Sequence, residues 1–109
     1  MDNSLIILQF SSVIVYTSTY GLILSQRKMD PMIGMLQCPG GQFIDNNETP
    51  VRCGQRELYE ETALNIDERR LKFVKTFQYG PSPYGHHENC LKIVHIFYTK
   101  LTHEEKGLV

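Results

Sequence analysis

The sequence predicts a domain of the α/β (α+β) class, in which four or more strands surround one amphipathic helix. Runs of β-branched and aliphatic residues, separated by turn-forming residues, indicate the strands. The segment 49–64 indicates the helix, because it begins with Thr49 as an N-cap and Pro50 at the first helical position. Residues 1–109 are expected to form a single domain with one modest core.

The first half of the chain predicts a hairpin followed by a short strand. Residues 5–16 and 21–28 are two apolar runs joined by a Thr-Ser-Thr-Tyr turn. The first run is long for one strand, and its two serines are where a break in that strand is expected. Residues 30–34 contain proline and glycine and predict a loop. Residues 35–38 predict a short strand that leads into a Pro-Gly-Gly turn at 39–41.

The second half predicts the helix and two more strands. Within the helix, Val51, Leu58 and Thr62 are expected to face the sheet. Residues 71–79 and 91–101 read as strands, separated by a loop rich in proline and glycine at 80–89. The last strand is apolar on both faces and is therefore predicted to be central.

Both faces of that last strand are apolar and need other residues to pack against them. A single helix can pack against only one of the two faces. Ile93 and Phe97 point to one side, whereas Val94, Ile96 and Tyr98 point to the other. Each large apolar side chain left in water forfeits about 1.5–3 kcal/mol. The 109-residue chain is therefore expected to associate with a second copy through the uncovered face, or to fold only marginally.

Composition excludes several classes of partner. The net charge is -1 and no basic run is present, so neither a long nucleic acid nor an anionic membrane is expected as partner. The apolar run at 5–16 follows Asp2 rather than a basic residue, which favours a strand over a signal peptide, and no segment is long enough to span a bilayer. The three cysteines lack zinc-ligand spacing, which favours reduced thiols and a cytoplasmic location.

Three carboxylates are crowded on one face of the predicted helix. At about 100° per residue, Glu57, Glu60 and Glu61 lie within one narrow sector. Like charges three and four residues apart repel by a few tenths of a kcal/mol, so a bound cation is expected there. The alternative is a solvated acidic face.

The surrounding residues resemble the Nudix box, G-x5-E-x7-R-E-U-x-E-E-x-G-U, where U is aliphatic. The matching positions are Gly41, Glu48, Arg56, Glu57, Leu58, Glu60, Glu61 and Leu64. Six residues rather than five separate Gly41 from Glu48, and Ala63 replaces the last glycine. The extra residue is expected to bulge in the turn at 45–47. Alanine at 63 is unfavourable if that position needs a positive φ, whereas a helix extended by one residue would accept it. Family members usually continue into a C-terminal helix, so residues 102–109 suggest either a truncated chain or a minimal domain that pairs with a second copy.

The resemblance implies a Nudix sandwich with a mixed sheet, and a magnesium site that manganese can also fill. The implied ligands are the Gly40 carbonyl and the three carboxylates Glu57, Glu60 and Glu61, which with Arg56 form the catalytic set. Arg56 is also implied to form a structural ion pair with Glu48. The substrate-binding residues implied by the resemblance are Arg27, Gln37 and Gly41.

The resemblance is strongest to mammalian diphosphatases that clean oxidised and thio-nucleotides. It implies hydrolysis of a nucleoside triphosphate, a small-molecule substrate, to a monophosphate and pyrophosphate. Two alternatives remain: a Nudix hydrolase of ADP-ribose, dinucleoside polyphosphates or capped RNA, and a catalytically weak binding module. Adjacent histidines at 86–87 read as loop, and His95 as a core histidine. No cysteine has the neighbours of a nucleophile.

Overall fold

A computed structural model describes residues 5–26, 34–80 and 89–102. These residues form seven strands, one α-helix and one short 3₁₀ helix. In chain order they are β1 (Ile6–Thr17), β2 (Gly21–Ile23), β3 (Ser25–Gln26), β4 (Leu36–Gln37), β5 (Gly40–Gln42), α1 (Pro50–Thr62), the 3₁₀ helix (Glu68–Arg70), β6 (Lys72–Tyr79) and β7 (Cys90–Lys100). Arg27 and the histidine pair at 86–87 lie outside the described residues.

The main sheet is mixed, and β7 lies inside it. The strand order is β2-β1-β7-β6, and β5 also pairs with β1. β1 and β7 run parallel from the pair Ile6 and Cys90 to the pair Tyr16 and Lys100, whereas the other pairings of this sheet are antiparallel. The predicted mixed sheet and the central position of the last strand are therefore confirmed.

The helix packs on one face of the sheet and buries the core there. The N-cap is Thr49, whose side chain accepts a hydrogen bond from the Arg52 N–H, and Pro50 follows it, as predicted. Gly54 lets the helix approach β1 closely, since a Cβ at this position would lie 3.2 Å from Val13 Cγ2. The buried apolar core consists of Val13, Val15, Leu58, Leu64, Ile66, Leu71, Phe97 and Leu101.

The opposite face of the sheet is only half buried, and we call it the open face. It carries the even-numbered residues of β1 and β7, because side chains alternate between faces along a strand. Ile6 is exposed and Cys90 is buried, whereas the other apolar ones are intermediate in exposure, namely Leu8, Phe10, Ile14, Tyr16, Val94, Ile96 and Tyr98. No helix in the described part of the chain packs on this face, which agrees with the expectation that one face lacks cover.

Three predicted boundaries were wrong. The run 21–28 is not one strand, because the chain leaves β1 after Ile23 and β3 pairs instead with β4 in a separate two-stranded sheet. Gly40 and Gly41 are not turn residues but part of β5, which lies beside β1. The helix ends at Thr62 rather than Leu64.

The described helices include none that is long and apolar enough to cross a membrane. The three cysteines are free, as predicted.

Candidate metal and nucleotide site

Strand β5 is wedged between β1 and the helix, and its two glycines make this possible. A Cβ on Gly40 would lie 2.5 Å from the Ser11 carbonyl oxygen and 2.9 Å from Ser12 Cα. A Cβ on Gly41 would overlap the Glu57 carboxylate. Neither glycine has a positive φ, so the absence of a side chain, rather than backbone freedom, is what the position requires. The Glu57 carboxylate therefore lies directly against the backbone of β5.

Arg56 connects the helix to the loop that follows β5. Its Nε and Nη2 donate to the two oxygens of Glu48 at 2.8 and 3.0 Å, in a bidentate pair. Nη2 also donates to the Gln42 carbonyl at 3.0 Å, while Nη1 donates to Glu57 at 2.8 Å and to Glu60 at 3.2 Å. The ion pair between Glu48 and Arg56 lies where the resemblance places it. The Arg56 guanidinium lowers the pKa of Glu48, and Glu48 in turn raises the pKa of Arg56.

The loop between Gly41 and Glu48 absorbs the additional residue in a local turn. The Asp45 side chain accepts hydrogen bonds from the N–H groups of Asn47, at 2.8 Å, and Glu48, at 3.1 Å. Glu48 Oε1 accepts from the Ile44 N–H at 3.0 Å, so Glu48 also closes the loop from the other side. The helix and its contact with Glu48 are preserved despite the insertion.

Glu61 faces β5 one helical turn beyond Glu57. Its Oε2 accepts a hydrogen bond from the Gly40 N–H at 2.7 Å. Partial burial raises the pKa of Glu61, and the negative charges of Glu57 and Glu60 raise it further, whereas the bond from Gly40 lowers it. Glu61 is therefore a carboxylate whose negative charge is poorly compensated by the protein itself.

Ala63 ends the helix in the left-handed conformation, with φ 63° and ψ 12°. Its N–H still donates to the Tyr59 carbonyl at 2.8 Å. Of the two possibilities for Ala63, the structure has the positive φ rather than the extended helix, because the chain turns toward the buried Leu64 immediately after Thr62. An alanine therefore occupies a position that suits glycine.

The three predicted ligands do not yet converge on one point. In the described part of the chain, no group of three or more His, Cys, Asp or Glu side chains is arranged to hold a metal ion. Glu57 and Glu60 are directed to Arg56, and Glu61 is directed to Gly40. Only 16% of the Glu57 side chain is exposed.

The donor set nevertheless suits a hard divalent cation. Mg²⁺ in nucleotide enzymes is commonly held by one or two carboxylates, with waters and substrate phosphates completing its octahedron. Glu57 and Glu61 are two such carboxylates on adjacent turns, and both lie against the same strand. Burial raises the pKa of Glu61 and the charges of Glu57 and Glu60 raise it further, and a cation would relieve that repulsion. The residues present therefore fit a magnesium ion shared with a phosphorylated substrate.

A cleft of about 360 Å³ opens beside β5 on the open face. Two of the predicted substrate-binding residues, Gln37 and Gly41, line it. Sequence reasoning missed Tyr79 and Lys92, which line the same cleft. Lys92 is detectable in the sequence as the one charged residue within the apolar run 90–99, but its position opposite Tyr79 depends on strand register.

His95 and Cys53, which were considered from the sequence as possible functional residues, have structural roles. His95 lies between Thr76 and Gln9, with its two ring nitrogens each 3.0 Å from a side-chain oxygen, and burial lowers its pKa. Both ring nitrogens are partnered as predicted, but His95 is half-buried and lies outside the buried core. Cys53 is buried against Gly41, and desolvation raises its pKa to about 11, which is unsuitable for a nucleophile.

Comparison with known proteins identifies a family for nearly the whole chain. The family model of the NUDIX domain matches residues 9–108. No curated protein sequence matches the chain.

Solved structures with this fold come from several bacteria. The crystal structure of a MutT NUDIX hydrolase from Burkholderia pseudomallei has a TM-score of 0.68 and 16% identity over 87% of this chain and 67% of that one. The solution structure of the E. coli ORF135 protein has a TM-score of 0.66 and 15% identity over 87% and 61%. A bifunctional NMN adenylyltransferase/ADP ribose pyrophosphatase from Francisella tularensis, complexed with AMP and a manganese ion, has a TM-score of 0.60 and 22% identity over 86% and 28%.

At these identities the likeness concerns the fold, and it confirms the predicted sandwich of a mixed sheet and a helix. The chain spans 61% to 67% of the length of the first two of these proteins and 28% of the third.

Proposed function

Because the chain belongs to the Nudix family of hydrolases, we propose that it is a magnesium-dependent nucleoside triphosphate pyrophosphatase, which releases a nucleoside monophosphate and pyrophosphate. The observation that carries this proposal is the placement of Glu57 and Glu61 against β5. Both carboxylates lie beside Gly40 and Gly41, and both of these glycines line the open cleft. Neither carboxylate lines the cleft itself, so a phosphate chain bound there would reach them past the two glycines.

The protein's own groups then have distinct tasks. Glu57 and Glu61 supply oxygen ligands, and Arg56 holds Glu57 in place through the 2.8 Å bond to its carboxylate. The bare backbone at Gly41 leaves room for the Glu57 carboxylate to lie against β5. Glu60, with 54% of its side chain exposed, is the third candidate ligand. When bound, Mg²⁺ would neutralise phosphate charge and make a coordinated water more acidic.

The reaction is a hydrolysis between the α- and β-phosphorus atoms. A water oxygen forms a bond to the α-phosphorus, the bond from that phosphorus to the bridging oxygen breaks, and pyrophosphate leaves. The water's proton passes to solvent or to a carboxylate of the cluster, of which Glu61 has the raised pKa that favours accepting it.

The Francisella neighbour, whose printed description includes AMP and a manganese ion, supports a site of this kind on this fold. Manganese is accordingly the substitute cation that we expect to sustain activity. The Francisella protein is also described as an ADP ribose pyrophosphatase. This description supports the alternative class of substrate, in which a nucleoside diphosphate is linked to a group other than a phosphate.

The proposal is tested by incubating the purified chain with a panel of nucleoside triphosphates, ADP-ribose and dinucleoside polyphosphates, with and without Mg²⁺. Released phosphate and pyrophosphate are measured. We expect magnesium-dependent turnover of at least one triphosphate, and its loss in Glu57→Gln and in Glu61→Gln.

Glu68→Gln is the matched control, since Glu68 is a partly exposed carboxylate whose ion pair with Arg52 lies on the protein surface. It should retain the activity of the parent. Full activity in both site variants would refute the metal site. An inactive parent on every nucleotide would favour the alternative of a binding module.

A further inference from the structure

Three hydrogen bonds join β5 to the helix, one at each residue of the strand. At one end the Gly40 N–H donates to Glu61 Oε2 at 2.7 Å, and at the other end the Gln42 carbonyl accepts from Arg56 Nη2 at 3.0 Å. Glu61 and Arg56 both belong to the catalytic set that the resemblance implies. The bond at the middle residue comes from a side chain outside that set.

The middle bond comes from Cys53. Its Sγ donates to the Gly41 carbonyl at 3.4 Å and accepts from Arg56 Nη2 at 3.8 Å. The Cys53 side chain is completely buried, with 0% exposure. The two contacts together direct the S–H group toward β5.

Cys53 lies in line with two proposed ligands along the helix. Cys53, Glu57 and Glu61 are spaced by four residues, so each lies about one turn beyond the previous one on a single face. The Glu57 carboxylate packs against Gly41, the same residue that accepts the bond from Cys53. Cys53 therefore fixes the backbone that sets the position of Glu57.

The bond from Cys53 differs from the other two bonds to β5 in what cation binding requires of it. Glu61 is directed to the Gly40 N–H, so ligating a cation would make this carboxylate share or release that bond. The Arg56 guanidinium is divided among several acceptors, of which Glu57 is itself a candidate ligand. Cys53 is not a candidate ligand, so its bond remains while the carboxylates rearrange.

We propose that Cys53 is a positioning residue of the metal site, which holds the Gly41 backbone in place beside Glu57. Its bond keeps β5 against the helix while Glu61 releases the Gly40 N–H to bind a cation. This gives the buried thiol a task beyond filling the core, because the site depends on its S–H group rather than on its volume. It rests on the proposed function only for the role of Glu57 and Glu61 as ligands.

Three variants separate the S–H group from the volume of the side chain. Cys53→Ala removes the donor, whereas Cys53→Ser replaces it with a hydroxyl donor. Cys90→Ala is the matched control, because Cys90 is also a buried thiol, with 8% exposure. Cys90 pairs with Ile6 on β1, whereas the pairing of β5 with β1 begins at Phe10, about 13 Å farther along the strand.

The first measurement requires no cation. Amide hydrogen exchange at Gly41 and Gln42 is followed by NMR in EDTA. Cys53→Ala should speed exchange at these amides about fivefold, because a strand that has lost a bond to the helix opens more often. Cys53→Ser and Cys90→Ala should keep the rates of the parent.

The second measurement is Mn²⁺ binding without nucleotide, followed by the paramagnetic broadening of the Gly40 and Gly41 amide resonances. Cys53→Ala should require about fivefold more Mn²⁺ for half-maximal broadening, since one lost hydrogen bond has an effect of this order. Cys53→Ser should stay within about twofold of the parent. Cys90→Ala should melt at a lower temperature, because a buried side chain is truncated, yet bind Mn²⁺ as the parent does.

Several results would overturn the proposal. Parent-like exchange or parent-like Mn²⁺ affinity in Cys53→Ala would show that the site does not depend on the thiol. Equal weakening in Cys53→Ser and Cys53→Ala would assign the effect to packing, and weakening of the same size in Cys90→Ala would assign it to a general loss of stability. A parent that binds no Mn²⁺ would instead refute the metal site of the proposed function, and the role of Cys53 with it.

Discussion

The Arg56 guanidinium shows how much of the site depends on single side chains. It joins Glu48, Glu57, Glu60 and the Gln42 carbonyl through a planar fork that lysine cannot reproduce. The family resemblance, rather than spacing alone, implied its pairing with Glu48. The individual bonds to Glu57 and Glu60 depend on the rotamers of side chains on the same helical face, which the sequence does not specify.

The two candidate ligands Glu57 and Glu61 should differ in their effects on stability when magnesium is absent. Glu61 is repelled by its neighbours, and its pKa is raised, so the folded protein binds its proton more tightly than the unfolded chain does. The free energy of unfolding therefore declines as pH rises above about 4.5, the ordinary pKa of this group. Glu61→Gln in EDTA should melt at or slightly above the parent at pH 7.5, with a gain of a few tenths of a kcal/mol.

Glu57→Gln should instead lose about 1 kcal/mol, because a charge-assisted hydrogen bond from Arg56 becomes a neutral one. Thermal melts of the three proteins in EDTA, at pH 5 and pH 7.5, measure both effects. A destabilised Glu61→Gln would show that this carboxylate is structural. The two variants were expected to behave alike from sequence, and the contact with Arg56 is what separates them.

Ala63 offers a stabilising substitution. A left-handed φ of 63° brings an L side chain close to its own backbone, at a cost of about 1–2 kcal/mol, which glycine avoids. Glycine also gives the unfolded chain more freedom, which offsets part of the gain. Ala63→Gly should therefore raise the free energy of unfolding by about 0.5 kcal/mol in a urea titration. Ala63→Val, which adds a β-branch at the same position, should lower it.

At the scale of elements, the junction of β1, β5 and the helix determines the site. β5 is short, yet it contacts β1 through backbone pairing and the helix through Gly41 and Cys53. Sequence periodicity cannot predict a three-residue strand of this kind, because two of its residues are glycines and carry no pattern. The two longest strands and the helix, which have strong patterns, were predicted to within one or two residues.

The two glycines of β5 should respond differently to alanine. In Gly41→Ala the new methyl group meets the end of the Glu57 side chain, which can rotate away. That variant should stay folded but lose most magnesium-dependent activity, because Glu57 is displaced from its position beside Arg56. In Gly40→Ala the methyl group meets backbone atoms of β1, which cannot move without breaking the strand pairing.

Gly40→Ala should therefore be destabilised by about 2 kcal/mol or more, in line with overpacking at a rigid position. Melting temperature and activity, measured on both variants, distinguish the two outcomes. Gly34→Ala is a suitable comparison only for stability, since Gly34 has a φ of +89° and a Cβ there would meet only Gln26 Nε2, at 3.9 Å. If Gly41→Ala had the activity of the parent, Glu57 would not need its observed position.

For the whole molecule, the asymmetry between the two faces of the sheet is the main feature. The helix face buries Val13, Val15 and Phe97 to 6% exposure or less, whereas the open face leaves its apolar residues half exposed. The alternation of β7 was sufficient to predict this asymmetry. The parallel pairing of β1 with β7 was not predicted, because strand order depends on contacts between residues far apart in the sequence.

The open face leads to the prediction that the 109-residue chain associates with a second copy of itself. The end of the face farthest from the cleft is formed by Ile14 and Tyr16 on β1 and by Ile96 and Tyr98 on β7. Covering such residues contributes on the order of 25 cal/mol per Å² of apolar area, and small domains have little stability to spare. Light scattering at increasing protein concentration should therefore show a dimer or larger species.

A charged side chain within this patch should reverse the association. Ile96→Lys is expected to yield a monomer, because pairing two copies would bury two unpaired lysines. Leu36→Lys is the matched control, since Leu36 is 63% exposed and belongs to the separate two-stranded sheet. It should leave the association unchanged, and circular dichroism should confirm that both variants are folded. A monodisperse, stable monomer of the parent with full magnesium-dependent activity would show that the open face needs no partner.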